Sequence, residues 1–204
     1  MLKRFFDSNN IIWRTFNKFS DLMMLSLCWL LCCIGVVTIG ASSIALYDAV
    51  SRCVRGDEGN MFRRFFRTFK NELGRGILLT VLWGLLCAAL YIGYLYLYQA
   101  GVTSTGYAMI SILYFFALFL PLAVLCWVIS IESRFAYSFG QLHRTAFIFA
   151  FGYLPKTIPV VALLAAAIIV LLNLPFLVFI IPGLMTYFQS HFIEKVFVKY
   201  MPSE

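Results

Sequence analysis

Few residues in this 204-residue chain have types and spacing suited to chemistry, and the clearest are Asp48 and Arg52. They stand four positions apart, so on a helix they share a face and can form an ion pair. Ionisable residues inside an apolar segment often mark an ion or proton site. These two stand near the end of such a segment, where an ion pair that anchors the helix is the more ordinary interpretation. We expect the structural pair, with an ion or proton site as the alternative.

The other polar residues form no pattern typical of catalysis. His143 and His191 are far apart and have no third ligand beside them, and the chain contains no HExxH, phosphate-binding glycine loop or GxSxG sequence. The six cysteines lack the paired spacing of a metal site. Glu132 is expected at the boundary of an apolar segment, with Arg134 as a candidate partner. The sequence therefore predicts no enzyme, no catalytic residue, no metal site and no cofactor.

The composition indicates a membrane protein. Hydrophobic residues make up 62% of the chain and charged residues 12%, against roughly 45–50% and about 25% in soluble domains. Runs without charged residues cover 22–47, 77–131 and 157–193, and 18 or more such residues are enough for a membrane span. The longest polar interval leaves no room for a soluble domain. We predict an all-α fold and a single integral membrane domain over 1–204.

The basic residues predict the topology. All 16 lysines and arginines lie within 1–21, 51–76, 132–157 and 195–199. The positive-inside rule places these intervals, and with them both termini, in the cytoplasm.

A hairpin between the first two basic intervals keeps both on one side, whereas one span over 22–50 would separate them. Gly35, Thr38 and Gly40 are the candidate turn and packing residues, because small residues allow close helix approach. About six hydrophobic segments follow: 18–35, 40–53, 77–99, 107–131, 156–173 and 176–194. The second is too short to cross easily, so we expect the first pair to be a short or re-entrant hairpin. Five full spans are the rival topology.

Prolines within the apolar segments predict local distortions. Pro121 lies inside the fourth segment, and the pair Pro182 and Gly183 lies inside the sixth. A proline in a helix interior removes one backbone hydrogen bond and clashes with the preceding turn. We therefore expect kinks at both places.

Two segments predict amphipathic helices. Residues 59–74 place aromatic side chains on one face and basic ones opposite: Phe62, Phe65, Phe66 and Phe69, against Arg63, Arg64, Arg67 and Lys70. This pattern favours a cytoplasmic helix that contacts the bilayer, its anionic headgroups or a partner protein. Packing of the Phe face on the protein's own helices is the alternative. Residues 1–19 similarly predict an interfacial N-terminal helix. Because basic residues flank apolar runs, we expect no nucleic-acid binding.

Four short stretches resemble the YesL-like family of small bacterial membrane proteins: Thr-Ile-Gly-Ala at 38–41, Ala-Leu-Tyr at 45–47, Arg-Gly-Asp-Glu at 55–58 and Phe-Phe-Arg-Thr-Phe-Lys at 65–70. Family members usually have proline where this chain has Gly35. The resemblance implies a multi-pass protein of the bacterial cytoplasmic membrane. It also implies an association with carbohydrate use, because members tend to be encoded beside sugar-uptake transporters and polysaccharide-degrading enzymes. It supplies no catalytic residues.

We therefore expect a non-enzymatic accessory or regulatory protein associated with carbohydrate uptake or utilisation. Subunits of a carbohydrate ABC transporter are the candidate partners, and the 59–74 helix with the turn at 55–58 is the candidate contact surface. The alternative is a small transporter or channel whose path is lined by the broken first hairpin, with Asp48 as its ion-sensitive group. A homo-oligomer is open in both cases.

Overall fold

The computed structural model describes residues 11–101 and 105–200. Within these ranges the chain forms nine α-helices and no strand, which confirms the all-α prediction. The helices are α1 (Ile11–Cys32), α2 (Ile39–Ala49), α3 (Met61–Asn71), α4 (Leu73–Gly101), α5 (Thr105–Ala117), α6 (Phe119–Glu132), α7 (Phe139–Gly152), α8 (Leu154–Asn173) and α9 (Ile181–Phe197). A π-helical turn, Val50–Val54, continues α2, and 3-10 turns occupy Val36–Thr38 and Pro175–Phe179.

Three helical stretches are long and apolar enough to cross a membrane: Leu73–Gly101, Gly106–Glu132 and Leu154–Asn173. Only 11–29% of their most apolar windows is buried inside the protein. So much exposed apolar surface is expected where lipid replaces water around the helices. The chain is thus a helical membrane protein by length and composition. The prediction of about six segments is not confirmed, because 18–35, 40–53 and 176–194 are not among these three stretches.

Helix α2 lies at the centre of the fold. It packs against α1, α3, α4, α6 and α9, and every side chain from Ile44 to Val50 is at most 3% exposed. Apart from Asp48, the side chains of α2 are apolar or small around its circumference, which suits such burial. Its 11 residues span about 16 Å, roughly half of a bilayer core of about 30 Å. Helix α2 is therefore a short helix that other helices of the same chain surround.

Glycines allow two close helix contacts. A Cβ on Gly40 of α2 would lie 2.4 Å from the carbonyl oxygen of Gly76 in α4, and the Gly40 N–H donates to Thr80 Oγ1 at 2.8 Å. In the same way the Gly183 N–H in α9 donates to Ser26 Oγ in α1 at 2.9 Å. In each contact a hydroxyl group accepts from an N–H in the first turn of a helix, which has no carbonyl partner within its own helix.

The turn between α1 and α2 has an exposed apolar tip. Ile34 is 78% exposed and Val36 70%. The Thr38 hydroxyl lies within hydrogen-bonding distance of the carbonyl oxygens of Gly35 and of Cys32. It thus supplies a donor to the Cys32 carbonyl at the end of α1, which has no partner within the helix. A Cβ on Gly35 would meet nothing closer than Thr38 Oγ1 at 3.4 Å. Close packing therefore requires glycine at Gly40 and not at Gly35.

At both predicted proline distortions the apolar segment is interrupted, and the proline stands in the first turn of the helix that follows. Pro121 lies in the first turn of α6, and the helix is interrupted at Leu118, between α5 and α6. A proline at this place cannot donate to the carbonyl of Ala117, which accounts for the break. Near Pro182 the predicted segment 176–194 is also interrupted: the 3-10 turn Pro175–Phe179 ends before Ile180, and α9 begins at Ile181. Pro182 stands in the first turn of α9, where its missing N–H leaves no intrahelical bond unmade.

The predicted N-terminal helix over 1–19 lies partly outside the described residues. Residues 11–19 form the first half of α1 and continue without a break to Cys32. Phe16 is 63% exposed and Phe19 40%, while Leu22 and Leu25 further along are buried against α2. Within the described residues, the exposed part of the predicted N-terminal helix and the buried part that follows it thus form one continuous helix, α1.

Candidate functional site

The best-defined polar site surrounds the carboxylate of Asp48 in α2. The residue is only 3% exposed, so its charge needs partners inside the protein. Arg64 of α3 supplies a two-pronged contact, with Nε 2.8 Å from Oδ2 and Nη2 3.3 Å from Oδ1. The Thr68 hydroxyl donates to Oδ2 at 2.7 Å. Three hydrogen bonds from a single helix thus hold one buried carboxylate.

Arg52 is a second, looser partner. Its Nε is 3.2 Å from Asp48 Oδ1, yet this nitrogen makes no hydrogen bond of good geometry within the described residues. The structure therefore brings the candidate pair together, but Arg64 is the principal cation. The hydrogen bond to Asp48 raises the pKa of Arg64, which keeps its guanidinium charged.

Helix α3 begins at an asparagine cap and packs through part of its Phe face. The Asn60 side chain accepts from the N–H groups of Phe62 and Arg63, as expected for a residue that caps a helix. Phe65 is fully buried against α1 and α2, and Phe69 stacks on it at 6.4 Å. The alternative in which this face packs on the protein's own helices therefore describes Phe65 and Phe69.

The outer face of α3 carries the remaining candidate contact residues. Arg63, Arg67 and Lys70 are exposed and form no ion pair within the described residues. Phe66 is 50% exposed, and Phe62 is partly buried. We define the outer face of α3 as Arg63, Phe66, Arg67 and Lys70. Arg64 does not belong to this face, because its side chain turns inward to Asp48.

The turn at 55–58 connects α2 to α3. The Glu58 N–H donates to the Arg52 carbonyl at 3.0 Å, and Asp57 adopts a left-handed backbone with φ 57°. Arg55 points back to the bundle, where Nη1 donates to the Ser190 carbonyl at 2.7 Å. The turn thus holds the start of α3 close to α9.

Two further buried carboxylates lie near Asp48, and each has an arginine partner. Glu194 of α9 accepts from Arg134 Nε at 2.9 Å and from the Tyr47 hydroxyl at 3.3 Å. Glu132 of α6 has Arg75 Nη1 2.8 Å from Oε1. The sequence suggested Arg134 as the partner of Glu132, but Arg134 pairs with Glu194 and Arg75 pairs with Glu132.

We call these three carboxylates and their arginines the charged end of the bundle. Each carboxylate belongs to a different helix, and its arginine comes from another element. Removing one member of a buried ion pair leaves an uncompensated charge and costs about 3–5 kcal/mol. The pairs therefore act as cross-links between helices. Because Asp48 and Glu194 are already neutralised, neither resembles an activated nucleophile or a free general base.

A cleft and a cavity border this region. The cleft measures about 380 Å³ and is lined by Asp48, Arg64, Arg67, Thr68, Asn71, Glu72, Glu132 and Ser133. The cavity measures about 270 Å³, lies between α1, α2, α6, α8 and α9, and has mostly apolar walls with Tyr47, Ser130 and Gln189 among its polar residues.

Neither histidine lies beside a catalytic or metal-binding partner within the described residues. His143 accepts from Trp83 Nε1 at 3.3 Å through Nε2, and its Nδ1 lies 2.9 Å from the Phe139 carbonyl. His191 is exposed. Within the described residues no three His, Cys, Asp or Glu side chains gather closely enough to hold a metal ion. The structure thus brings no catalytic or metal-binding group of the usual kinds together in the part of the chain that it describes.

The fold and the charged end define the class of this protein: an all-helical membrane protein built around a short, buried helix. Residues 22–94 match the family described as "Protein of unknown function, DUF624". The matched region runs from α1 into α4 and so contains Asp48, Arg52, Arg64 and Thr68, whereas Glu132 and Glu194 lie beyond it. No curated protein and no solved structure matches the chain.

Sequence reasoning missed several members of the charged end. Thr68 and Arg75 had signals, because a buried aspartate needs donors and the interval 51–76 contains seven basic residues. The pairing of Glu194 with Arg134 had none, since the two residues are 60 positions apart. Only the packing of α6 against α9 brings them together.

Proposed function

We propose that this chain is a non-enzymatic accessory or regulatory protein of the bacterial cytoplasmic membrane that works with a carbohydrate-uptake system. On this proposal the outer face of α3 contacts the partner. The observation that carries it is the set of hydrogen bonds that Arg64 and Thr68 donate to the buried Asp48. These bonds hold the inner side of α3 against the bundle. A helix held in this way presents its opposite side in a fixed position.

The chemistry of the outer face fits a protein contact. Arg63, Arg67 and Lys70 surround Phe66, which is half exposed. Arginine and aromatic residues are enriched in protein interfaces, where the ring fills a pocket and the charges meet acidic groups. Anionic lipid headgroups would attract the same cations. We therefore propose an acidic surface of a transporter subunit as the partner, reached close to the membrane.

The carbohydrate part of the proposal rests on the resemblance to the YesL-like family. The stretches that carry it, at 38–41, 45–47, 55–58 and 65–70, all lie within the matched region 22–94. They also border the Asp48 site on α2 and α3. The residues behind the resemblance and those that position α3 thus belong to one part of the fold.

We further propose that the charged end is cytoplasmic and that α1 and α2 form a short or re-entrant hairpin within a six-segment topology. The distribution of basic residues supports this orientation, and the burial of α2 suits an arm that does not face lipid. Reporter fusions at both termini and in the turn at 33–38 test it. We expect cytoplasmic signals from both termini, and a cytoplasmic signal from the turn would contradict the hairpin.

The contact is tested by charge reversal. The variant Arg63→Glu/Arg67→Glu/Lys70→Glu changes three exposed residues, and Arg144→Glu, at an exposed position of α7, is a control for a single basic side chain elsewhere. We expect the wild type and the control to co-purify with transporter subunits in mild detergent, and the triple variant to lose them while keeping its helix content. Purification of the wild type alone, with sugar uptake unchanged on gene deletion, would refute the proposal.

A small transporter or channel is the competing function, and the same protein preparation distinguishes it. In liposomes we expect no flux of sugars or ions beyond the protein-free level. Flux that appears with the wild type and disappears with Asp48→Asn would favour the transporter over the accessory role.

A further inference from the structure

The cleft beside Asp48 contains two carboxyl groups that the ion pairs do not fully explain. Glu132 is 6% exposed, and Glu72 lines the same cleft. Both carboxylate oxygens of Glu132 and Oε2 of Glu72 are buried, and the described residues offer none of them a hydrogen bond of good geometry. Buried polar atoms without partners are rare, so these three need a physical explanation.

The two carboxyl groups line the same cleft, where each is close enough for its charge to act on the other. An ionised carboxylate only accepts hydrogen bonds, so two ionised groups at this distance would repel each other and could not bond. One proton between them turns the repulsion into a hydrogen bond from a carboxylic acid to a carboxylate. Pairs of buried acids commonly bind a proton jointly in this way.

The surroundings favour a proton over a metal ion. Arg75 Nη1 lies 2.8 Å from Glu132 Oε1 and can balance the one negative charge that remains when a proton is shared. The same guanidinium would repel a metal cation, and no third acidic, His or Cys side chain joins the pair within the described residues. Arg64 and Arg67 of α3 add positive charge to the cleft, while Asp48 of α2 is neutralised by Arg64.

We propose that Glu72 and Glu132 together bind a single proton and so form a proton-binding site between the α3–α4 joint and α6. Glu72 is the residue between α3 and α4, and Glu132 ends α6. Loss of the proton to solvent leaves two negative charges beside one arginine and weakens this contact. Proton binding is thereby linked to the position of α3. The proposal does not depend on the carbohydrate role.

Infrared difference spectroscopy of the full-length protein in detergent tests it, with proton concentration as the only variable. At neutral pH we expect a carbonyl signal from one protonated carboxylic acid, which disappears as the pH is raised. The signal should be absent in Glu72→Gln and in Glu132→Gln, because neither variant has a second carboxyl group with which the remaining one could share a proton. It should persist in Glu58→Gln, which alters an exposed acid in the turn before α3.

Two results would overturn the proposal. The first is a wild type without a protonated acid at neutral pH. The second is a signal that survives in Glu72→Gln, because the proton would then reside elsewhere. Glu72 is only partly buried and the amide keeps the shape of the side chain, so this variant is expected to fold. It decides the question even if Glu132→Gln cannot be purified.

Discussion

Replacing Arg64 by methionine should destabilise the protein far more than the same change at Arg63. The two residues are neighbours on α3, but Arg64 contacts the buried Asp48 through Nε and Nη2, whereas Arg63 is exposed. Methionine has a helix propensity close to that of arginine, so the helix itself is little affected. The comparison therefore isolates the contact with Asp48.

The expected magnitude follows from what Asp48 retains. Removing one partner of a buried ion pair costs about 3–5 kcal/mol. Two features reduce this cost: the Arg64 side chain is 21% exposed, so water screens part of the attraction, and Arg52 remains 3.2 Å from Oδ1. We therefore expect a loss of about 2–3 kcal/mol for Arg64→Met, and for Arg63→Met a change within about 0.5 kcal/mol.

A double-mutant cycle attributes the loss to the ion pair. Asp48→Asn alone should also destabilise, because it leaves two arginines without their buried carboxylate. Once Asp48 is neutral, Arg64→Met should cost less, with a coupling of about 1–2 kcal/mol. Thermal unfolding of the detergent-solubilised protein, followed by far-UV circular dichroism, measures all four species. Equal losses for the Arg63 and Arg64 variants, or a coupling of zero, would refute the role assigned to Asp48.

Three further substitutions test the contacts that hold the helices together, by the same unfolding measurement. Gly40→Ala should cost about 1–3 kcal/mol, since its Cβ would lie 2.4 Å from the Gly76 carbonyl, while Gly84→Ala, with open space around it, should be neutral or slightly stabilising. Gly183→Ala should also cost about 1–3 kcal/mol because its Cβ would meet backbone at 2.6 Å. Asn60→Ala should cost about 1 kcal/mol through the loss of the α3 cap. No loss at Gly40, at Gly183 or at the cap would contradict the geometry there.

The all-helical fold was predictable because it rests on composition. Long runs without charged residues predict spans, and three of the six predicted segments, 77–99, 107–131 and 156–173, coincide with helices long enough to cross a membrane. The segment 40–53 does not, because its α-helix has only 11 residues. The segment 176–194 is divided between a 3-10 turn and a helix of 17 residues. Hydropathy measures the apolar length of the chain and does not show where a helix breaks, nor that the neighbours of α2 are helices of the same chain.

The charged site was predictable only in part, because helix periodicity describes one helix at a time. Asp48 and Arg52 were paired from their spacing, and they are in contact. The amphipathic pattern of 59–74 assigned Arg64 to the basic face with its neighbours. In the structure α3 packs on α2 through the boundary between the Phe face and the basic face of α3. Arg64 and Thr68 lie at this boundary and contact Asp48. Which residue occupies that boundary depends on the rotation of the helix, which tertiary packing sets.

Helix α2 is held at both ends, by two helices that follow each other in the chain. At its start Gly40 donates to Thr80 of α4, and near its end Asp48 accepts from Arg64 of α3. Because α3 and α4 are joined at Glu72, a shift of α2 along its axis would break a contact at one end or bend the joint. The proposed proton on Glu72 and Glu132 lies at this joint. A change in its occupancy would therefore act on α3, while the contact at Gly40 continues to hold α2 and α4 together.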